Sequence, residues 1–280
     1  MPKGDPGFGQ YSADHLLEIM WEAESGWGKP KIVPFHYFEL HPMNSTLHYA
    51  LEGFEGMKAY RDPQGKIRTF RPNMNAERLV RTSQELCFPT FEPTELVKCL
   101  DSLLTVDDKW VPAAPSSLYI RPSIISMTNE LGIAPPKSTM LFVTTSPSGA
   151  YFKDGSKSLS LFIETRGVRA WPGGSGNAKV GANYAVGIKF VQEALQKGYD
   201  QVLWLNGNNI SEVGGCNFFM LWINKKGEKE LATPRLDGTI LPGITRDSIL
   251  ELSRNDKRFV VSEKPLPMRD VLKAAKDKRV

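Results

Sequence analysis

The chain is short of cysteine, short of histidine and without a long apolar run, and each shortage closes off a class of function. Of its 280 residues only Cys87, Cys99 and Cys216 are cysteines. They form no C-x-x-C pair and no metal-ligand spacing, and an odd, sparse count suits reduced thiols rather than a disulfide framework. The four histidines, His15, His36, His41 and His48, all lie near the N-terminus and include no H-E-x-x-H pair, so no metal site is expected. No stretch approaches the roughly 20 apolar residues of a membrane span. The net charge is +4, and the basic residues are scattered rather than blocked together, so nothing points to nucleic acid. The opening "MPKGDPGFGQYSADHLLE" has neither the apolar core of a signal peptide nor the Arg/Ser-rich pattern of a transit peptide. A cytoplasmic protein is therefore expected, or a mitochondrial one if residues precede Met1.

What remains is an ordinary globular composition, 41% hydrophobic and 24% charged, long enough for one large domain or two ordinary ones. "KIVPFHYFEL" (31–40) reads as a strand. "GMKAYRDPQGKIRTFRP" reads as a hairpin closed by Asp62-Pro63-Gln64-Gly65, which suits a type I turn. "RPNMNAERLVRTSQEL" reads as a helix capped by Asn73. "PTELVKCLDSLLTVDDKWVP" reads as another, with Leu96, Leu100, Leu103 and Leu104 on one face. "SLYIRPSIISM" and "TMLFVTTS" read as strands, and the Gly/Ser/Lys-rich stretch after them as a linker. Beyond it come a strand ("LSLFIETR"), a helix from Asn183 to Lys197 closed by Gly198, three strands ("QVLWLN", "NFFMLWIN", "KELATP"), a helix ("LPGITRDSILELS"), a strand ("RFVVSE") and a last helix ("MRDVLKAAKDKRV"). Hairpin-like groups of strands with separate helices imply an α+β fold in two domains. The boundaries expected are 1–147 for a small N-terminal domain, 148–158 for the linker and 159–280 for a larger domain.

Several residues stand out chemically. In "GGSGNAKVGANYA", Lys179 is surrounded by small side chains. Either it is a surface charge after a Gly-rich turn, or the small residues leave room for something an amine holds. A P-loop is excluded, because Ala178 and Val180 stand where Gly and Ser/Thr are needed. A dinucleotide fingerprint fails too, because "VRAWPG" with Pro172 is a poor leading strand. In "LPGITRDS", Gly243, Ile244 and Thr245 open a helix and present backbone N–H groups, a seat for a phosphate; plain N-capping by Thr245 explains the same pattern. Arg78 is either the cation for such a phosphate or a solvated helix arginine. Tyr119 and Arg121 are two apart on a strand and share a face, which suits carboxylate binding or an edge-strand ion pair. Glu212, before two glycines in "ISEVGGCN", either faces a protonated ring nitrogen or binds local N–H groups in a turn. Together these are the parts of a pyridoxal-phosphate site: an amine, an anion seat, an acid and a carboxylate clamp.

The ordered blocks "STLHYALEGFEGMKAYR", "FRPNMNAERLVRTS", "SLYIRP", "GAYF", "GNAKVGANY", "QVLWLNG", "ISEVGGCNFF" and "LATPRLDGTILPGITRDSILEL" resemble the branched-chain amino-acid aminotransferases, of pyridoxal-phosphate fold type IV, and the eukaryotic-type members best. The resemblance implies that Lys179 is the Schiff-base lysine that moves the proton between Cα and C4′. It implies that Tyr184 lies near the cofactor's phenolic oxygen and that Glu212 keeps the pyridine nitrogen protonated. Arg78, Gly243, Ile244 and Thr245 would hold the phosphate and Leu241 would pack on the ring. Phe8, Tyr49, Phe54, Tyr119, Arg121 and Tyr151 would line a pocket for amino acids and 2-oxo acids. Tyr49 would be lent by the second subunit of a homodimer. The reaction implied moves the amino group of leucine, isoleucine or valine to 2-oxoglutarate.

Two departures are visible. Gly215 stands where related enzymes often carry Thr, and the chain stops at "AAKDKRV", where members continue through a "GSGTA" loop that helps bind the phosphate and the substrate carboxylate. A chain without that loop is expected either to be a fragment of an active enzyme or to be a weak or inactive form that binds cofactor or a full-length partner subunit. A related fold type IV activity on D-amino acids or aminodeoxychorismate is disfavoured by "FEGMKAYR" and "LYIRP".

Overall fold

Two long antiparallel strands frame the first half of the chain. The computed structural model describes residues 4–149 and 158–280 and divides the chain into two compact units, Met1–Lys157 with Lys179–Gly181, and Ser158–Ala178 with Ala182–Val280. In the first unit the elements run β1 (His15–Glu22), β2 (Gly26–Trp27), β3 (Lys31–Pro34), α1 (Ser45–Tyr49), β4 (Glu52–Phe54), β5 (Met57–Arg61), β6 (Ile67–Thr69), α2 (Pro72–Glu85), α3 (Pro93–Val106), β7 (Ser117–Ser126) and β8 (Ser138–Ser148). They form one sheet in the order β2-β1-β8-β7-β5-β6, with β3 added to β1 and β4 to β7. Its pairs are antiparallel, and β7 and β8 are in register from Ser117 opposite Ser148 to Ser126 opposite Thr139.

The period of two along β7 separates core from site. Leu118 and Ile120 are fully buried and pack with Leu79 of α2 and with Leu96, Leu100, Leu103 and Leu104 of α3. The intervening Tyr119 and Arg121 are only partly buried and so face the other side of the sheet. The four leucines expected on one face of α3 are the four that are buried.

Several expectations need correction here. The helix α2 is not capped by Asn73. Arg71 takes the N-cap place in a left-handed conformation (φ 49°, ψ 47°) with Pro72 just inside, because proline lacks an N–H and has a helix-ready φ, and so belongs in the first turn. The strand expected over 31–40 ends at Pro34. β1 was not foreseen, since "HLLEIMWE" does not alternate. It pairs with both β3 and β8 and is buried at Leu16 and Leu17. Of the expected linker, residues 150–157 lie outside the described residues, and Ser148 still belongs to β8. The hairpin of β5 and β6 forms as read, with the Gly65 N–H donating to the carbonyl of Asp62 at 2.9 Å.

The second unit contains β9 (Leu161–Glu164), α4 (Ala182–Ala185), α5 (Ile188–Gln196), β10 (Gln201–Asn206), β11 (Asn209–Val213), β12 (Cys216–Asn217), β13 (Met220–Ile223), β14 (Lys229–Thr233), α6 (Ile244–Asn255), β15 (Val260–Glu263) and α7 (Met268–Lys276). One sheet runs β12-β11-β10-β9 and another β13-β14-β15, with parallel pairing of β9 to β10 and of β14 to β15. β10 is buried on both faces. Val202 and Trp204 pack on Ala194, Phe190 and Val191 of α5, while Leu203 and Leu205 join Ile210, Ala232 and Leu266.

The single helix expected from Asn183 to Lys197 is broken between α4 and α5. Glycine is costly inside a helix, and at Gly187 the chain turns instead, its N–H donating to the Tyr184 carbonyl at 3.1 Å. Lys179 belongs to the first unit rather than to this one. The reason is local. Val180 bridges Gly53 in an antiparallel pair, the Phe54 N–H donates to the Lys179 carbonyl at 3.0 Å, and the Lys179 N–H donates to Thr82 Oγ1 at 3.0 Å.

Candidate active site

On the first unit the lysine segment lies along β4 and α2, so the backbone hydrogen bonds just named fix where its side chain starts. The Lys179 ammonium lies 4.7 Å from the centre of the Phe54 ring. Arg121 lies over the same ring at 4.5 Å and donates to the Tyr119 hydroxyl at 2.9 Å. Phe8 meets Tyr119 edge to face at 4.8 Å. Phe8, Tyr119 and Arg121 border a cavity of about 410 Å³ together with Thr144 and Ser146. The strand pairing explains that company, because Thr144 and Ser146 stand opposite Arg121 and Tyr119. Buried Arg121 Nε has no hydrogen-bond partner among the described residues, which leaves a donor of this clamp for a ligand carboxylate.

Arg78 is buried on α2 rather than solvated. Its Nε and Nη2 donate to the two oxygens of Glu55 at 2.6 and 2.9 Å, and Glu55 is itself fully buried. The Lys179 ammonium is thereby placed in an unfavourable setting. Burial, and next the Arg78 charge, pull its pKa from 10.5 down to about 8, while Glu55 and Tyr119 oppose the fall and Arg121 adds to it. An amine so placed is still mostly protonated near physiological pH, but roughly a tenth of it or more is neutral. That is far more than for an ordinary lysine, which favours nucleophilic and proton-transfer work. Lys179 is therefore no ordinary surface charge.

On the second unit Glu212 is 1% exposed. One carboxylate oxygen accepts from Asn217 Nδ2 at 2.9 Å and from the Leu241 N–H at 3.1 Å. The other lies 2.5 Å from Arg169 Nε. Arg169 also donates to the carbonyls of Gly176 and Thr239. A carboxylate held so tightly by donors is an acceptor of fixed direction. Asn217 donates as well to the Leu241 carbonyl at 2.9 Å, and its Oδ1 would lie 2.0 Å from a Cβ placed on Gly243. Only glycine permits that approach, so Glu212, Asn217, Leu241 and Gly243 form one tight cradle at the start of α6. No side chain caps α6, whose N-cap is Gly243. Thr245 is thus not an N-cap, and the first-turn amides are left for another acceptor. Tyr184 borders a cavity of about 230 Å³ with Arg169, Trp204 and Gly215. A Cβ on Gly215 would meet only Tyr184, at an ordinary 3.8 Å, so the site has room for a larger residue.

The structure thus groups Lys179, Arg78, Phe54, Tyr119, Arg121 and Phe8 on the first unit, and Glu212, Leu241, Gly243, Ile244, Thr245 and Tyr184 on the second. Tyr49 stands apart at the end of α1, 41% exposed, with its hydroxyl donating to the Leu131 carbonyl. Tyr151 lies outside the described residues. Sequence reasoning missed Glu55, Arg169 and Asn217. Each is a partner of a residue it had singled out, distant in the chain or hidden in a motif read for other reasons.

The fold is that of a class, the class IV aminotransferases. The model of that family, Amino-transferase class IV, matches residues 52–276. Within it, the chain belongs to the branched-chain-amino-acid aminotransferases. It is 46% identical to the Dictyostelium discoideum enzyme of that name, over 98% of this chain and 73% of the relative. It is 47% identical to the cytosolic Mus musculus enzyme, over 99% of this chain and 74% of the relative. Cytosolic and mitochondrial forms both occur among the relatives. The crystal structure of the branched-chain amino acid aminotransferase of Escherichia coli superposes with a TM-score of 0.73 at 27% identity, over 91% of this chain and 78% of that one. The fold is the fold type IV expected from the sequence. No helix among the described residues is long and apolar enough to cross a membrane.

Proposed function

We infer that the chain is a branched-chain-amino-acid transaminase that uses pyridoxal 5′-phosphate to move the amino group of leucine, isoleucine or valine to 2-oxoglutarate. The observation that carries this reading is Lys179, a buried amine beside the Phe54 ring in a chain of the class IV aminotransferase family. The residues present fit the cofactor. The Asn217–Gly243 approach leaves a cradle that a Cβ would fill, and the amides after it are uncapped.

In this reading Arg78 and the backbone of Gly243, Ile244 and Thr245 bind the phosphate, and Leu241 packs on the ring. Tyr184 donates to the phenolic oxygen. Glu212, fixed by Arg169, would accept a hydrogen bond from the protonated ring N–H and so favour that protonation. When bound, pyridoxal phosphate supplies an electron sink that stabilises negative charge at the substrate Cα. Lys179 Nζ would carry the proton between the substrate Cα and the cofactor C4′. Tyr119 and Arg121 grip a carboxylate, while Phe8 and Phe54 contact apolar side chains.

Tyr49 is assigned to the pocket of a second copy in a homodimer, which its separate, half-exposed position supports. The cytosol is the compartment we assign, as for the mouse relative. Glutamate formation from leucine and 2-oxoglutarate by the purified chain tests the reading. Turnover of D-alanine in preference to leucine, or no turnover of leucine with saturating cofactor, would refute it.

A glycine gives a second check. A Cβ on Gly56 would fall 1.9 Å from the Tyr119 hydroxyl, so Gly56→Ala must displace Tyr119 from Arg121. Losing one hydrogen bond to a charged group is worth about 1.5–3 kcal/mol, or roughly ten- to a hundredfold in kcat/KM for leucine. Steady-state kinetics would show it, and an unchanged kcat/KM would remove Tyr119 from the clamp.

A further inference from the structure

Glu55 sits in the turn between β4 and β5 with no solvent exposure, an expensive place for a carboxylate. It is held there from three sides. Its own N–H donates to the Pro122 carbonyl of β7 at 2.8 Å. Its carboxylate accepts from the Gly56 N–H at 3.1 Å and from Asn75 Nδ2 on α2 at 2.8 Å. Arg78 adds two more donors, Nε at 2.6 Å and Nη2 at 2.9 Å. Four donors satisfy the carboxylate, and two of them come from the side chain assigned to the cofactor phosphate. The residue before Glu55 is Phe54, whose N–H binds the Lys179 carbonyl and whose ring lies near the Lys179 ammonium. A change at Glu55 is therefore felt at Arg78 and at Lys179 together.

We propose that Glu55 is a positioning residue of the site: by gripping the Nε edge of Arg78 it fixes where the guanidinium stands, and it offsets that positive charge beside Lys179. This rests on the transaminase reading for the roles of Arg78 and Lys179, but its physical content is a property of the protein alone. Among the described residues, the largest charged and titratable influences on Lys179 are Arg78 from α2, Glu55 from the β4–β5 turn, and Tyr119 and Arg121 from β7. Arg78 and Arg121 disfavour the ammonium, and Glu55 and Tyr119 favour it. If the Glu55 charge is removed and Arg78 stays, the balance at Lys179 shifts toward the neutral amine.

The test is competitive labelling of amines in the full chain without added cofactor. Acetic anhydride serves as the probe, and the extent at Lys179 is read by peptide mapping across pH. In the unaltered chain half-maximal labelling of Lys179 is expected near pH 8. Glu55→Gln is expected to lower that midpoint by about one unit, the size expected from losing a nearby opposite charge. Glu55→Asp keeps the charge but shortens the reach to Arg78. It should leave the midpoint in place and weaken inorganic phosphate binding, measured calorimetrically, about tenfold.

Should Glu55→Gln fail to fold, the double variant Glu55→Gln with Arg78→Gln strands no charge. Its midpoint is expected at or slightly above that of the unaltered chain. A midpoint unmoved or raised in Glu55→Gln, or lowered in the double variant, overturns the proposal. A merely structural Glu55 would change stability without moving the midpoint. None of these outcomes depends on transamination, so failure of the functional reading would appear separately, as a chain that never turns over leucine.

Discussion

Lys179→Ala is expected to lower the turnover of leucine with 2-oxoglutarate by roughly 10⁴-fold or more. The substitution removes the amine that both holds the cofactor and moves the Cα proton, and proton transfer by a positioned side chain alone contributes roughly 10²–10⁴-fold. The fold should tolerate the change. Lys179 is buried close to Arg78, where its charge is unwelcome. Its folded pKa of about 8 lies below the ordinary 10.5, so the unfolded chain binds more protons between those values. Stability should therefore rise with pH from about 8 to 10.5, and the cost of holding the ammonium is fully present below that window. Lys179→Met, which keeps the apolar stem, should flatten this rise in urea titrations at a series of pH values. A variant with the same pH dependence as the unaltered chain would show that the shift belongs to another group.

Glu212→Gln is the second change with a large expected effect, and it acts in two ways. In the chain as it stands, both carboxylate oxygens are engaged, one by Asn217 and Leu241 and one by Arg169. A glutamine keeps the shape but loses the charge opposite Arg169, whose side chain is 5% exposed. Breaking a buried ion pair by removing one partner costs about 3–5 kcal/mol, so the midpoint of chemical unfolding should fall clearly. Catalysis should fall further, on the order of 10³-fold, because a neutral amide cannot keep a ring nitrogen protonated. Measurements at saturating cofactor separate the two. Loss of stability with full kcat would make Glu212 a structural acid and remove it from the chemistry.

These two residues were visible in the sequence for different reasons. Lys179 stood out because "GGSGNAKVGANYA" leaves it room. Glu212 stood out because a carboxylate ahead of two glycines needs donors. Tyr119 and Arg121 were legible from the strand period alone, and they do share a face and a hydrogen bond. What was hidden was the other half of each pair. Nothing near Arg169 in "GVRAWPGG" signals that it will meet Glu212, because β11 and the segment before Lys179 come together only through the packing of the second unit. Glu55 was hidden in "FEGMKAYR", a stretch read only for its resemblance, because its role is set by α2, beyond β5 and β6.

The helix expected over 183–197 failed because periodicity was followed through Val186 and Gly187. There a turn against Trp204 replaces the helical bond, a Gly187 Cβ standing 3.4 Å from that ring. The same limit applies to β11, where "NISEV" carries too few apolar residues to read as a strand and is held instead by β10 on one side and β12 on the other.

The account stands on Lys179 being the one amine that takes the cofactor. Incubating the purified chain with pyridoxal phosphate, reducing with borohydride and mapping the peptides tests this most directly. The expected result is a single stable adduct on the peptide that contains Lys179, absent from Lys179→Ala. An adduct at another lysine, or label spread evenly over the exposed lysines with none at Lys179, would contradict it.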